Sequence, residues 1–167
     1  MTVRRIRTGV KAVTLIAFAL GVCRSALGGD DHGRVMLQFA PDAFHYNKSP
    51  EHAKHSWLVG GEYLWPNGWL AGYAYFNNSF DQKSHYAYGG YTWRLSGSGS
   101  RYWYLKLTAG LVVGYREPYE DKIPFNQNGV APGLIPGVGY QFDRFNAQLN
   151  AFGTSGLIIT FGYDVVR

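Results

Sequence analysis

Four polar residues have types that support acyl-transfer chemistry: His45, Asn78, Ser79 and Arg116. A histidine can act as general base toward a serine hydroxyl, and amide or guanidinium donors can hold a developing oxyanion. They lie far apart in sequence, and His52, His55 and His85 are available as alternative bases. Whether His45 meets Ser79 depends on the elements that carry them.

Those elements read as β-strands, because the chain alternates with period two. Phe145, Ala147, Leu149 and Ala151 share one face, with Asn146, Gln148 and Asn150 on the other. A strand sends successive side chains to opposite faces, so this one has an apolar and a polar side. Trp103, Leu105, Leu107, Ala109, Leu111 and Val113 oppose Lys106, Thr108 and Gly110 in the same way, and residues 157–166 repeat the scheme. Eight strands are expected, at 34–44, 56–65, 68–77, 84–95, 101–115, 129–140, 144–153 and 156–166. Most are near the length of a tilted transmembrane strand.

The connections at 66–68, 96–100 and 141–143 are short, whereas 47–55, 78–83 and 116–128 are longer and polar. An even number of strands with short turns at one end predicts an all-β, eight-stranded antiparallel barrel of the outer-membrane type. Such a sheet must close, because lipid cannot satisfy an open edge. Tyr63, Trp65, Trp69, Tyr91, Trp93, Tyr102 and Trp103 cluster near strand ends, as girdles do. A soluble periplasmic β-domain would also alternate, but with less apolar outward faces. Strand direction then brings His45, Asn78, Ser79 and Arg116 to one rim, at the long-loop end.

The N-terminus explains the basic charge. Met1–Lys11 holds Arg4, Arg5, Arg7 and Lys11, the apolar run Ala12–Val22 follows, and Ser25-Ala26-Leu27-Gly28 closes it. This is the pattern of a secretory signal peptide over residues 1–28, leaving 29–167 as a single barrel domain. Residues 1–28 carry five basic side chains and no acid, so the remaining 11 basic residues balance 11 acidic ones. Nucleic-acid binding thereby loses its electrostatic support. The single cysteine, Cys23, leaves with the signal, so neither disulfides nor thiol chemistry is expected.

An interior of eight strands holds side chains or one small ligand, which argues against a pore. Apolar and glycine residues on both faces of 56–65, 68–77 and 84–95 suggest a partly dry lumen, as an acyl slot would be. Aromatic side chains plugging the interior account for the same pattern. Pro41, Pro132 and Pro136 fall inside strands, where they cannot donate to a ladder. They mark either a lateral gap for a lipid chain or strand ends and bulges. Pro132 suits a strand end near a loop.

Several short motifs bear a family resemblance. Phe76-Asn77-Asn78-Ser79-Phe80, followed by Ala87-Tyr88-Gly89-Gly90-Tyr91, resembles the central loop and strand of the lipid A palmitoyltransferase (PagP) family. Thr108-Ala109-Gly110 with Arg116, Ile123-Pro124 with Leu134–Tyr140, and Pro41 with His45 resemble its fifth, sixth and first strands. The resemblance implies an outer-membrane acyltransferase moving palmitate from a phospholipid donor to lipid A, as a monomer with no metal or cofactor. It implies catalytic roles for His45 and Ser79, and for Asn78 where the family has Asp. It implies substrate binding by Arg116, Pro41 and Pro136, with Gly90 at the floor of an acyl pocket. Asn78 cannot take a proton, so its role is limited to hydrogen bonding or positioning. The chain between Gly29 and Arg34 is also too short for the family's N-terminal amphipathic helix. A structural, adhesive or lipid-binding barrel and a lipid A deacylase are the alternatives.

Overall fold

The computed structural model describes residues 33–46, 53, 55–153 and 156–167. The expected signal peptide and His52 lie outside them. The β elements are β1 (Arg34–Ala40), β2 (Ala43–His45), β3 (Leu58–Leu64), β4 (Trp69–Asn77), β5 (Lys83–Ser98), β6 (Arg101–Val113), β7 (Val130–Phe142), β8 (Phe145–Phe152) and β9 (Gly156–Val166). Neighbours pair antiparallel in the order β1-β3-β4-β5-β6-β7-β8-β9-β2, and β1 also pairs with β9. β1 and β2 are two halves of one strand, so the sheet closes as the eight-stranded antiparallel barrel expected.

Proline explains the break in the first strand. Pro41 has no N–H, and the β1–β3 ladder stops one residue earlier, at Ala40 opposite Leu58. β2 continues only against β9, ending with His45 opposite Gly156. Across the interrupted seam, Asp42 Oδ1 accepts hydrogen bonds from Ala43 N (2.9 Å) and Ser56 N (2.7 Å). A carboxylate thus ties the second strand where the backbone does not.

A second seam lies between β7 and β8. Their ladder ends at Gly137 opposite Asn150, while Val130–Pro136 pair with β6 alone. Ala151 and Phe152 pair only with β9. The β6–β7 register runs through Pro132 and Pro136 without a shift. Both prolines lack the N–H, and both fall on the stretch of β7 that has no β8 partner. Pro132 is not a strand end; it is the third residue of β7.

The barrel is inside out relative to a soluble one. Trp103, Leu105, Leu107 and Leu111 are exposed, while Tyr104, Lys106 and Thr108 between them are buried. On β8, Phe145 and Leu149 face outward, and Asn146, Gln148 and Asn150 inward.

The lumen has two zones. Toward the short turns it is polar, so the dry part of the lumen is confined to the other end. The Lys106 ammonium pairs with the Glu62 carboxylate, and Tyr88 donates to the same oxygen at 2.8 Å. Asn146 Nδ2 donates to the Tyr104 hydroxyl (2.6 Å), which donates to Gln148 Oε1 (3.1 Å). Gln141 Nε2 and Arg34 both reach Asp164 Oδ2. Most of these polar side chains come from β6, β8 and β9 rather than from β3 to β5, whose composition pointed to a partly dry lumen. Toward the long loops the lining is apolar: Ala74, Tyr86 and Val112 pack with Leu58, Phe76, Ile123 and Ile135. A cavity of about 40 Å³ sits where the zones meet, between Leu58, Ala74 and Ile135 on one side and Lys106 and Gln148 on the other. Stacked Tyr86 and Tyr88 rings fill much of the space, so the aromatic-plug reading holds for part of the lumen.

Candidate active site

His45 and Ser79 meet at the long-loop rim. His45 Nε2 lies 3.3 Å from Ser79 Oγ, and the pair is partly buried. The other described histidines are placed elsewhere. His55 is exposed and lies 3.6 Å from the Asp42 carboxylate. The His85 ring packs near the rings of Tyr73 and Tyr75, and its Nδ1 bonds the Tyr73 hydroxyl.

Each partner is fixed by its own element. β9 approaches β2 closely because residue 156 is glycine: a Cβ there would collide with the Phe44 carbonyl oxygen and sit 3.2 Å from His45 Cα. Ser79 rides on a tight loop built by Asn78. Asn78 is 1% exposed, and its Oδ1 accepts from Phe80 N (2.9 Å) and Gln82 N (3.0 Å). Its Nδ2 donates to Ser84 Oγ at 3.0 Å and approaches Gln82 Oε1 at 3.5 Å. This is Asx-turn chemistry, in which a short amide side chain replaces a backbone turn bond. Asn78 N also donates to Gln82 O, and Asp81 takes the positive φ (60°) that the reversal requires. The amide uses both its acceptor and its donor, and a carboxylate would supply only the acceptor. Asn78 therefore shapes the loop that presents Ser79. The Ser79 carbonyl is held in turn by Ala53 N at 2.7 Å.

A residue not singled out from sequence completes the contact. Tyr115, two positions beyond β6, hydrogen-bonds Ser79 through its hydroxyl. Burial pushes that hydroxyl up to about 12, against the lowering effect of the Ser79 bond, so it is neutral across the physiological range. Ser79 Oγ thus has His45 Nε2 and a phenol as neighbours. Tyr115 was one of 13 tyrosines in a chain whose strand ends are rich in aromatics, and nothing in its spacing set it apart.

The remaining expected residues are scattered. Arg116 is exposed on the same rim and is tied through its backbone: its N donates to Gln82 Oε1 and its O accepts from Gln82 Nε2, both at 3.1 Å. Its side chain runs past Gly129. Pro41 is exposed at the broken seam, and Pro136 faces outward beside the β7–β8 seam. Gly90 pairs with Leu70 and Thr108, on the lumen face of β5 that carries Tyr86 and Tyr88. The cavity lining includes Tyr88 and Lys106, and Gly90 is not part of it. Phe80 and Tyr119 stack at 4.1 Å between centroids, joining the Ser79 loop to the loop after β6.

The arrangement suits acyl transfer between hydroxyls: a base, a hydroxyl and a neutral phenol donor converge at the mouth of an apolar chamber. Among the described residues, no group of three or more His, Cys, Asp or Glu side chains is placed to hold a metal ion. Comparison with known families finds none whose model matches this chain, and comparison with curated proteins finds none that matches it.

Proposed function

We propose that this protein is an outer-membrane acyltransferase of the lipid A palmitoyltransferase type, moving an acyl chain from a phospholipid to lipid A. The observation that carries this reading is the 3.3 Å contact between His45 Nε2 and Ser79 Oγ above the apolar half of the lumen. Apolar outward faces support placement in a bilayer, where a closed barrel is one of two structures that satisfy the backbone. The unladdered stretch between β7 and β8 supports lateral passage of a lipid tail.

In this reading His45 Nε2 takes the proton of the lipid A hydroxyl, whose oxygen attacks the donor ester carbon. The ester C–O bond then breaks, and the lysophospholipid oxygen recovers the proton. Ser79 and Tyr115 hydroxyls stabilise the oxyanion, a term that ranks among the largest in such reactions. A variant route passes the acyl group through Ser79 itself. A long tail needs more room than about 40 Å³. The reading therefore requires Tyr86 or the capping Ile123 to move when substrate binds.

The buried Lys106–Glu62 pair and the polar network below it favour a second reading, a structural barrel with a filled interior. Mass spectrometry of lipid A from cells with and without the gene separates the two. Palmitate-sized additions that vanish in His45→Ala and Ser79→Ala support the enzyme. Loss of acyl chains instead indicates a deacylase, and unchanged lipid A leaves the structural barrel.

A further inference from the structure

We infer that the short-turn end of the barrel carries a guanidinium collar that binds the headgroup phosphate of anionic glycerophospholipids in the adjacent leaflet. Arg34 opens β1, Arg94 lies near the end of β5, Arg101 opens β6, Arg144 sits in the β7–β8 turn, and Arg167 follows β9. Topology brings all five to one end of the sheet. Among the described residues two carboxylates stand there, Asp143 and Asp164, so the described side chains carry a surplus of three positive charges. At the opposite end the described side chains are Lys83, Arg116 and Lys122 against Asp42, Asp81, Glu117, Glu120 and Asp121, a surplus of two negative charges.

The collar is preorganised. The Tyr102 ring lies under two guanidiniums, Arg94 at 4.2 Å and Arg34 at 5.9 Å. Asp164 Oδ2 takes Arg34 and Arg167, each at 3.2 Å, and Asp143 Oδ2 takes Arg101 at 3.1 Å. Arg94 and Arg144 are different. Arg94 donates to the Gly99 carbonyl (2.9 Å) and Arg144 to the Asp164 carbonyl (3.2 Å), and neither has a carboxylate partner among the described residues. Both are exposed. Each is oriented by the backbone yet keeps its charge and most of its donors for an external anion. Arginine is the side chain whose planar fork matches a phosphate.

The neighbouring surface fits a lipid rather than a soluble anion. Trp93, Trp103, Phe142 and Phe145 are exposed at the same end, and Arg101 lies 4.3 Å above the Phe142 ring. Aromatic rings of this kind sit at the headgroup level of a bilayer. A phospholipid with its phosphate on the arginines would lay its glycerol against these rings and its tails along Leu105 and Leu107.

The inference rests on bilayer placement and not on acyl transfer. Its test uses the folded full chain in phosphatidylcholine vesicles doped with phosphatidylglycerol whose acyl chains are brominated. Bromine quenches tryptophan on contact, and Trp65, Trp69, Trp93 and Trp103 lie at this end. Wild type should concentrate phosphatidylglycerol over phosphatidylcholine by about fivefold for each arginine engaged, with the enrichment falling at about 1 M salt. R94Q/R144Q should lose most of it, whereas K122Q at the other end should not. Because neither arginine has a carboxylate partner, the double variant leaves no buried acid unpaired. Should it still fail to fold, the wild-type enrichment and its salt dependence decide. Equal quenching by the two lipids, or equal loss in K122Q, overturns the collar. Failure of the chain to insert into bilayers overturns the membrane placement instead.

Discussion

Breaking the ion pair inside the barrel should cost more than any exposed substitution. Lys106 and Glu62 side chains are 4% and 1% exposed; the pair is made through Glu62 Oε1, and Oε2 is buried with no hydrogen-bond partner. Replacing Lys106 by Met strands a buried carboxylate whose remaining bond is from Tyr88. Removing one member of such a pair costs about 3–5 kcal/mol, a large part of the roughly 5–15 kcal/mol that holds a small domain together. With a urea slope of about 2 kcal/mol/M, the unfolding midpoint should fall by about 2 M. Removing both charges, in Glu62→Leu with Lys106→Met, should recover most of the loss, because an ion pair replaced by apolar groups is often neutral or better. The assay is urea unfolding from lipid vesicles followed by tryptophan fluorescence, run as a double-mutant cycle. Single variants that each shift the midpoint by less than about 0.5 M and then add would show that the two charges are not coupled. In that case the lumen would be wet enough to solvate the charges separately.

Three further outcomes follow from the site. Asn78→Ala removes the turn bonds to Phe80 N and Gln82 N, each worth about 1 kcal/mol, and should abolish lipid A modification while the barrel stays folded; Asn78→Asp keeps those acceptors, loses the donation to Ser84, and should retain partial activity. Gly156→Ala should displace β2 and His45, so product disappears in lipid A profiles although the heat-modifiable band on gels persists. Tyr115→Phe should lower transfer about tenfold to a hundredfold, a hydrogen bond to a charged group being worth about 1.5–3 kcal/mol. The same variant has a pH signature. Because the folded hydroxyl is raised from 10.0 to about 12, the unfolded chain releases its proton first, and stability falls as pH climbs through that window. Unfolding midpoints between those values should drop less steeply in Tyr115→Phe, and an unchanged slope contradicts the assignment.

The strands were legible because alternation is local. The Phe145–Ala151 pattern needs no knowledge of its neighbours, and its polar face proved to be the buried one. The break at Pro41 was legible too, since a missing N–H is written in the residue type, and Pro136 marked a stretch that lacks one neighbour, whereas Pro132, expected at a strand end, lies inside β7. Proline does not say which neighbour it loses, so the β7–β8 seam needed the register. The Glu62–Lys106 pair was hidden for the same reason: its members are separated by 44 residues and meet only across the lumen. Asn78 was visible, but its role was not, because an Asx turn and a catalytic position look alike until the bonds to Phe80 and Gln82 are seen. Tyr115 depends on how the chain leaves β6, which no periodicity reports.

The proposed acyl transfer requires His45 and Ser79 to act as one unit. The most direct measurement is acyl transfer by purified, vesicle-inserted protein, from a phospholipid with labelled tails to lipid A, for wild type, His45→Ala, Ser79→Ala and the double variant. Labelled lipid A is expected with wild type alone, and a double variant no worse than either single one, since residues acting as a unit are not additive. Transfer that survives in either single variant, or is absent from a correctly folded wild-type barrel, would contradict the proposal.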